Sequence, residues 1–249
     1  MNITQTFYDN LATHYDKLFE DWHAATKEQA LILDILFREK GFDSSARILD
    51  CACGIGTQAV GLAALGYDVT GSDFSHGALE EAKRRTDLPI RFCQADFRNL
   101  EAVFEETFDI VIAMDNALPH MLTREDMLTA VKSILGRVRE GGIFAASIRD
   151  YDALLKTRPA YAPPYIHQTP AGKRVSFQTW DWDGDLYKLT QYIIEDEETL
   201  QTSKFDCQYR ATRRRELTDL LLAAGCSRVD WKFPEETGFY QPILIAKKK

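Results

Sequence analysis

Residues 48–57 read I-L-D-C-A-C-G-I-G-T, and this stretch decides the fold because it joins a buried strand to a helix through a glycine-rich turn. Gly54 and Gly56 carry no Cβ, so the backbone can turn tightly there and come close to a ligand. The helix that follows presents unpaired N–H groups in its first turn. The spacing Gly54-x-Gly56-x-x-Ala59 also fits the pattern of dinucleotide-binding proteins. A tight turn that binds nothing is the simplest alternative.

Strands and helices alternate on both sides of this turn. Hydrophobic periodicity predicts strands at residues 47–51, 67–72, 90–94, 108–114 and 143–148, with helices at residues 57–65, 76–85 and 124–138 between them. Helical spacing also recurs from about residue 11 to 40, and a helix at 214–224 precedes two last strands at 229–233 and 242–247. This alternation predicts an α/β fold with a Rossmann-like open sheet, mostly parallel, and helices on both faces.

The alternation stops after the fifth strand. Residues 157–173 contain four prolines, which predicts a loop. Residues 175–182 and 186–195 then alternate in the manner of strands around Asp183-Gly184-Asp185, a hairpin signal. A third antiparallel strand is expected at residues 204–210. Together these segments predict an inserted antiparallel β lid after the fifth strand.

Composition narrows the class of protein. The 249 residues are 45% hydrophobic and 27% charged, which excludes intrinsic disorder and a disulfide-dense scaffold. A net charge of -8 argues against a general nucleic-acid partner, and no apolar run is long enough to span a membrane. The five cysteines form no CxxC pair and the five histidines are scattered, so we expect no metal site. The first residues lack signal-peptide features, which predicts a cytoplasmic protein.

Three acids follow successive predicted strands. Asp50 ends the first strand, Asp73 follows the second and Asp96 follows the third. Ligands of open parallel sheets bind at the carboxyl ends of the strands, so the three carboxylates should converge there. The carboxylate of Asp50 would repel a pyrophosphate and suits an ammonium group, whereas Asp73 is placed for ribose hydroxyls and Asp96 for an adenine amine. Each acid taken singly also fits a solvated surface carboxylate.

The ordered motifs I-L-D-C-A-C-G-I-G-T, V-T-G-S-D-F-S, A-D-F, F-D-I-V-I-A-M-D-N-A and V-R-E-G-G-I-F resemble those of class I S-adenosylmethionine-dependent methyltransferases. The resemblance implies an antiparallel last strand and S-adenosyl-L-methionine as cofactor. Ala52 replaces the first glycine of the usual pattern. By resemblance, the loop from Asp50 to Gly56 holds the methionyl part, Asp73 the ribose and Asp96 the adenine amine. The full set of implied cofactor-binding residues is Asp50, Ala52, Gly54, Gly56, Thr57, Asp73, Phe74, Asp96, Phe97 and Met114.

A narrower resemblance concerns the methyl acceptor. The segments D-N-A-L-P-H at 115–120, S-I-R-D-Y-D at 147–152 and A-P-P at 162–164 are similar to glycine N-methyltransferases and related amino-acid N-methyltransferases. The resemblance implies that Arg149 binds a substrate carboxylate. This sequence departs from the family in having Asp115 before Asn116. The candidate catalytic residues are Asn116, His120 and Tyr15, and the candidate substrate-binding residues are Arg149, Tyr8, Tyr165 and Tyr209.

Two of these candidates have structural alternatives. The guanidinium of Arg149 suits bidentate binding of a carboxylate, but it could instead pair with Asp150 or Asp152. The imidazole of His120 could act as a general base or donor, or it could simply hold the loop or the cofactor. Methyl transfer to a neutral amine depends mainly on placement, so a dedicated base is optional.

The resulting hypothesis is methyl transfer from S-adenosyl-L-methionine to a small-molecule amine, a glycine- or sarcosine-like amino acid, by direct in-line displacement. The alternatives are O- or C-methylation of a phenolic or quinone-like molecule, a nicotinamide-dependent oxidoreductase and a nucleotide-binding regulator without turnover. No feature of the sequence indicates an oligomeric state. We expect a single domain over residues 1–249, divided into an N-terminal helical cap (1–45), a cofactor-binding core (46–154), an inserted substrate lid (155–210), and the last helix and strands of the core (211–249).

Overall fold

The computed structural model of the chain describes residues 3–169, 172–195 and 201–249. The strands of a larger sheet are β1 (Arg47–Asp50), β2 (Asp68–Asp73), β3 (Arg91–Gln94), β4 (Phe108–Ala113), β5 (Val138–Ser147), β10 (Cys226–Lys232) and β11 (Ile243–Lys248). Those of a smaller sheet are β6 (Tyr161–Thr169), β7 (Gly172–Asp183), β8 (Leu186–Ile194) and β9 (Thr202–Arg210). The helices of these ranges are α1 (Ile3–Leu11), α2 (Trp22–Glu39), α3 (Thr57–Ala64), α4 (His76–Arg84), α5 (Arg124–Arg137), α6 (Tyr151–Thr157), α7 (Arg214–Ala223) and α8 (Pro234–Thr237).

The larger sheet has the strand order β10-β11-β5-β4-β1-β2-β3. The central strand β1 pairs in parallel with β2 and β4, and β11 runs antiparallel between β5 and β10. Along β4, Val111 packs into one hydrophobic cluster and Ile110 and Ile112 into another, so helices cover both faces of the sheet. The predicted Rossmann-like sheet, with its antiparallel last strand and inserted antiparallel lid, is confirmed.

The strand order reverses between β1 and β4. From β1 the chain builds outward through β2 and β3, and from β4 it builds in the opposite direction through β5. A crevice opens at the carboxyl ends of β1 and β4, where the connections diverge. The turn that leads from β1 into α3 needs its glycines, because Gly54 and Gly56 have φ of +52° and +92°.

One sequence prediction about secondary structure is wrong. The proline-rich loop expected at residues 157–173 contains strand β6, which begins at Tyr161. Pro163 and Pro164 interrupt its register with β7, and β6 is an edge strand, where a missing N–H is tolerated. Residues 170–171 of that prediction lie outside the described residues. The segment with helical spacing from residue 11 to 40 contains a 3-10 segment, Ala12–Leu18, followed by helix α2.

The N-terminal elements and the smaller sheet both lie over the crevice. Helix α1 packs against β9 of the smaller sheet and against α4 of the larger one. Asp21 begins α2 by accepting hydrogen bonds from the backbone N–H groups of His23 and Ala24. In the described part of the chain, no helix has the length and apolar character needed to cross a bilayer.

Candidate active site

A cavity of about 460 Å³ occupies the crevice, between the glycine loop, the carboxyl ends of β2 and β4, and helix α1. Many of the sequence-predicted residues line it: Tyr8, Tyr15, Ala52, Gly54, Thr57, Asp73, Phe74, Asp96, Phe97, Met114 and His120. The other predicted residues lie behind the wall or away from it: Asp50, Gly56, Asn116, Arg149, Tyr165 and Tyr209. The cavity therefore joins the predicted cofactor residues to part of the predicted acceptor site.

Asp73 is fixed by the backbone at the end of β2. Its Oδ2 accepts the N–H of Gly54 and its Oδ1 accepts the N–H of Ser75, both at 2.8 Å. Shielding from water raises the pKa of Asp73, and the two backbone N–H groups oppose that rise. This carboxylate joins the glycine turn to the start of α4 and still faces the cavity with its remaining lone pairs.

Asp50 lies beneath the glycine loop and does not line the cavity, contrary to the expectation that it would face a ligand directly. It is fully buried, and its Oδ1 accepts the N–H of Ala52 at 3.4 Å. Its Oδ2 has no hydrogen-bond partner among the described residues. Burial therefore raises the pKa of Asp50 well above its usual value.

Asp96 has a partner two residues further along the chain. Arg98 forms a bidentate pair with it, with Nε 3.0 Å from both carboxylate oxygens. Both residues line the cavity, close to Phe74 and Phe97. A carboxylate held in this way has a fixed orientation and shares its charge with Arg98.

The loop after β4 adopts a conformation that few non-glycine residues take. Asp115 and Asn116 have φ of 55° and 68°. Asn and Asp tolerate this left-handed region best, and such strain concentrates at functional sites. The backbone N–H of Asp115 donates to Ser147 Oγ at 2.8 Å, and that of Asn116 donates to Ser147 O at 3.1 Å. The end of β5 thus fixes the loop after β4.

Asn116 is buried behind the cavity wall. Its Oδ1 accepts the backbone N–H of Arg149 and the hydroxyl of Tyr151, both at 3.0 Å. In the structure this side chain connects the loop after β4 with the segment after β5. Oδ1 of Asn116 thus fixes the backbone of Arg149, Nδ2 has no hydrogen-bond partner among the described residues, and the catalytic role of Asn116 stays a prediction.

Asp115 lines the cavity, although the sequence analysis noted it only as a departure from the family pattern. Its Oδ1 accepts the hydroxyl of Tyr240 at 2.7 Å and its Oδ2 accepts Nε2 of Gln58 at 2.9 Å. Gln58 is itself fixed by Gln29, whose Oε1 accepts a second hydrogen bond at 2.6 Å. Shielding from water raises the pKa of Asp115 despite these two donors.

Arg149 is enclosed by lid residues. Nη1 donates to the hydroxyl of Tyr187 at 2.7 Å and Nη2 donates to Oε1 of Gln178 at 2.9 Å. The guanidinium carbon lies 5.1 Å from the ring centroid of Trp180 and 5.5 Å from that of Tyr209. These contacts are all neutral.

The alternative in which Arg149 pairs with Asp150 or Asp152 is wrong. Arg214 forms ion pairs with both of these acids. Over the described ranges, no carboxylate forms an ion pair with Arg149. The described residues thus enclose a guanidinium without supplying its counterion.

His120 is a neutral imidazole whose two nitrogens are both engaged. Nδ1 lies 3.3 Å from Gln208 O, which can only accept, so Nδ1 carries the proton. Nε2 therefore accepts the hydroxyl of Tyr8, at 2.8 Å. Burial lowers the pKa of His120 to about 3. This geometry makes His120 a link between α1 and the lid, and its catalytic role stays a prediction.

The remaining predicted tyrosines fall in three different places. Tyr15 lines the cavity beside Asp115. Tyr209 is buried next to the cavity, and its hydroxyl lies 3.5 Å from that of Tyr8. The structure does not bring Tyr165 to the cavity, because its side chain is 65% exposed on β6 and stacks on His167.

A polar clasp, formed by His14, Lys17 and Glu195, joins the N-terminal segment to the lid. Lys17 Nζ donates to Glu195 Oε1 at 2.6 Å, and His14 Nδ1 lies 3.2 Å from the same oxygen. Arg174 of β7 also donates to the backbone O of Phe19 at 2.5 Å. No group of His, Cys, Asp or Glu side chains within the described ranges could hold a metal ion.

Comparisons with known proteins agree with this geometry. A family described as "Methyltransferase domain" matches residues 48–142. The "Glycine/sarcosine N-methyltransferase" of Parasynechococcus marenigrum is 27% identical over 208 residues, which cover 76% of this chain and 71% of that protein. The "Putative methyltransferase YqeM" of Bacillus subtilis is 33% identical over 194 residues, which cover 72% of this chain and 75% of that protein. The chain belongs to the class I S-adenosylmethionine-dependent methyltransferases.

A solved structure has a fold similar to that of this methyltransferase. CalS10, an amino pentose methyltransferase from Micromonospora echinaspora, superposes with a TM-score of 0.76 over 90% of this chain and 92% of that one. The two sequences are 18% identical, so the likeness concerns the fold.

The residues around the cavity suit S-adenosylmethionine, the cofactor of the family. When bound, it supplies an electrophilic methyl group on a sulfonium. Asp73 and Asp115 in the wall and Asp50 beneath it have no cationic partner among the described residues, and burial raises all three pKa values. A positively charged ligand would favour their ionised forms. The cavity of this methyltransferase is therefore electrostatically matched to a sulfonium and an ammonium group.

Proposed function

We propose that this methyltransferase methylates the nitrogen of a small amino acid, such as glycine or sarcosine, by direct in-line displacement. The observation that carries the proposal is Arg149, a guanidinium enclosed by the lid that has only neutral partners among the described residues. An uncompensated charge away from water is costly, and a substrate carboxylate would supply the missing counterion. The names of relatives, "Glycine/sarcosine N-methyltransferase" among them, support an amine as methyl acceptor.

The position of Arg149 relative to the cavity supports the same function. Burial raises the pKa of Tyr15 and the charge of Asp115 raises it further, whereas the charge of Arg149 opposes the rise. Tyr15 therefore lies within electrostatic reach of both charged groups and also lines the cavity. A guanidinium has five N–H donors, and two are used by Tyr187 and Gln178, so donors remain for a bidentate carboxylate.

Most of the proposed cofactor-binding residues line the cavity. Asp73 would accept hydrogen bonds from the ribose hydroxyls, and the loop from Asp50 to Gly56 would hold the methionyl part. Asp96 would accept the adenine amine while remaining paired with Arg98, and its orientation by that pair fits the role. Phe74 and Phe97 would flank the adenine, and Thr57 and Met114 would complete the pocket.

Placement of the amine is the main catalytic contribution that we propose for the protein. The N-terminal cap (1–45) and the lid (155–210) would close over the core (46–154 and 211–249) and exclude water. Tyr8 and Tyr15 would contact the acceptor from the cap, while His120 and Tyr209 support Tyr8 from behind. Fixing two reactants in line can supply effective concentrations on the order of 10⁵ M or more.

The test is S-adenosylhomocysteine production on a matched panel of acceptors. Glycine and sarcosine carry the carboxylate, methylamine and dimethylamine lack it, and a few phenols test O- or C-methylation. We expect turnover on the carboxylated amines and at least about 100-fold lower kcat/KM on the matched amines. Turnover on phenols, or equal turnover on both kinds of amine, would exclude the amino-acid assignment and leave the methyltransferase core intact.

A further inference from the structure

The carboxylate of Asp115 is fixed at the cavity wall by the fold. Its backbone is held in the left-handed region at φ 55° by the hydrogen bond to Ser147 Oγ. Tyr240 and Gln58 each donate to one of its two oxygens, at 2.7 and 2.9 Å. A strained backbone conformation persists only where the surrounding contacts enforce it. We infer that these contacts hold the carboxylate of Asp115 in a fixed position.

Every hydrogen-bond partner of Asp115 is neutral. The ionisable groups that face it are Asp50 beneath the glycine loop, Tyr15 on the cap and Tyr240 before β11. Within the described ranges, no Lys, Arg or His forms an ion pair with it. Among the described residues, Asp115 is thus a carboxylate in the cavity wall without a cationic partner, as Arg149 is a cation without an anionic one.

The two uncompensated charges are mechanically connected. Asn116 follows Asp115 in the chain, and its Oδ1 accepts the backbone N–H of Arg149 at 3.0 Å. Tyr151 donates to the same oxygen at 3.0 Å and closes this bridge. The geometry therefore presents a carboxylate and a guanidinium from adjoining segments, and the charges of both act on Tyr15 in the cavity wall. A zwitterion, with its ammonium and carboxylate on one carbon, complements both.

We propose that Asp115 binds the ammonium group of the acceptor amino acid and takes its proton, while Arg149 binds the carboxylate. The proposal rests on the proposed function and names the proton acceptor of the same site. A proton passes from the acceptor nitrogen to Asp115 Oδ, leaving a neutral amine. The amine lone pair then forms the new N–C bond, and sulfur keeps the electron pair of the S–C bond that breaks. The products are a methylated ammonium and a neutral thioether, and the proton on Asp115 leaves to solvent.

The first test is Asp115→Asn. Asn tolerates the left-handed backbone and can still accept from Tyr240, but its Nδ2 replaces the oxygen that accepts from Gln58 Nε2, so the melting temperature of the variant is measured as well. We expect the KM for glycine or sarcosine to rise at least about 30-fold, while the Kd of S-adenosylhomocysteine, measured by calorimetry without acceptor, changes by less than about twofold. Asp219→Asn, which removes an exposed carboxylate on α7, is the matched control and should leave both values unchanged.

Acetate is the probe that separates the two charges, because it has the carboxylate of the acceptor and no amine. Its inhibition constant should be unchanged in Asp115→Asn and at least about tenfold higher in Arg149→Gln. Glycine should respond to both substitutions. An acetate constant that changes equally in the two variants would show that Asp115 acts only through Arg149 and would overturn the proposal.

A second variant keeps the carboxylate of Asp115 and tests whether it accepts the proton of the acceptor amine. Tyr240→Phe removes a hydrogen bond that favours the ionised form of Asp115, so the pKa of Asp115 should rise. The acidic limb of the pH profile of kcat/KM for the acceptor should then move to higher pH, while kcat at high pH stays the same. An unmoved limb would contradict the proton transfer.

The remaining outcomes are also decisive. An unchanged KM in Asp115→Asn would overturn the proposal while leaving the proposed function intact. A large loss of S-adenosylhomocysteine affinity with a normal melting temperature would assign Asp115 to the ammonium group of the cofactor, which also overturns it. If the wild-type enzyme methylates no carboxylated amine, the proposed function itself is wrong, and the wild-type panel shows this without any variant.

Discussion

The carboxylate of Asp73 fixes two backbone turns at the edge of the cavity. It accepts the N–H groups of Gly54 and Ser75, and it stands at the end of β2 where a ribose would lie. In Asp73→Ala we expect S-adenosylhomocysteine to bind about 100-fold more weakly or worse, because each hydrogen bond to a charged acceptor is worth about 1.5–3 kcal/mol. Calorimetric titration measures this.

Asp68 offers the control for that measurement, because it lies at the opposite end of the same strand and is exposed. Its weak ion pair with Arg47 spans 3.9 Å at the surface. Asp68→Ala should leave the cofactor affinity unchanged. Equal affinity losses in the two variants would place the cofactor somewhere other than the carboxyl end of β2.

The proposed role of Arg149 predicts different effects of its removal on an acceptor with a carboxylate and on one without. In Arg149→Gln we expect the KM for glycine to rise about 100-fold, because the substrate carboxylate loses its only proposed counterion. The kcat/KM for methylamine should change by less than about threefold, since that amine has no carboxylate. Steady-state kinetics on the two acceptors decide the point, and an equal loss on both would refute a carboxylate grip.

Individual site residues differ in how far the sequence could place them. Asp73 and Asp96 were placed correctly on the cavity wall because carboxyl ends of parallel strands meet at one edge. Asp50 followed the same rule but lies beneath the loop, because the glycine turn folds over it. Asp115 was missed as a site residue, since its contacts with Tyr240 and Gln58 join segments far apart in the chain.

Among the elements, the cap and the lid are joined by contacts that no short motif encodes. Lys17 and His14 of the 3-10 segment meet Glu195 at the end of β8, about 180 residues further along the chain. The lid strands that carry these contacts were predicted from alternation and a hairpin signal. Strand β6 was not, because the prolines that suggested a loop sit at a register break on the edge of the sheet.

The clasp of Lys17, His14 and Glu195 should hold the cavity closed. In Glu195→Gln we expect S-adenosylhomocysteine to dissociate up to about fivefold faster, because a partly exposed ion pair contributes about 1 kcal/mol or less. Stopped-flow displacement measures the rate. Glu80→Gln removes an exposed pair within α4 and should leave the rate unchanged. A dissociation rate in Glu195→Gln equal to that of the wild type would mean that the clasp does not gate release.

The stability of the whole molecule should depend on pH through His120. Its pKa is lowered by burial from 6.5 to about 3 in the folded state, so the unfolded chain binds a proton between these values and the folded chain does not. Stability that is present above pH 6.5 is therefore lost as the pH falls, by up to about 1.4 kcal/mol per pH unit from this group. Urea unfolding at pH 7.5 and 5.5 measures the loss.

His120→Gln identifies the source of that pH dependence. Glutamine can still accept from Tyr8 and donate to Gln208 O, but it does not titrate. We expect the stability lost between pH 7.5 and 5.5 to be smaller in this variant by about 1 kcal/mol. His23→Gln, on the exposed side of α2, should lose as much as the wild type. An identical loss in all three proteins would show that His120 does not control acid stability.

The architecture as a whole followed from the sequence because each signal was local: alternating strands and helices, glycines at a turn and acids at strand ends. The acceptor site depends instead on Arg149 between lid strands and on a loop bent at Asp115, and neither arrangement is visible in one segment.

The methyl group of S-adenosylmethionine can be followed directly to its destination. With the methyl carbon labelled with carbon-13, and glycine as acceptor, the account predicts an N-methyl signal of sarcosine that grows in step with S-adenosylhomocysteine. S-adenosylhomocysteine that forms without label on the glycine nitrogen would contradict it.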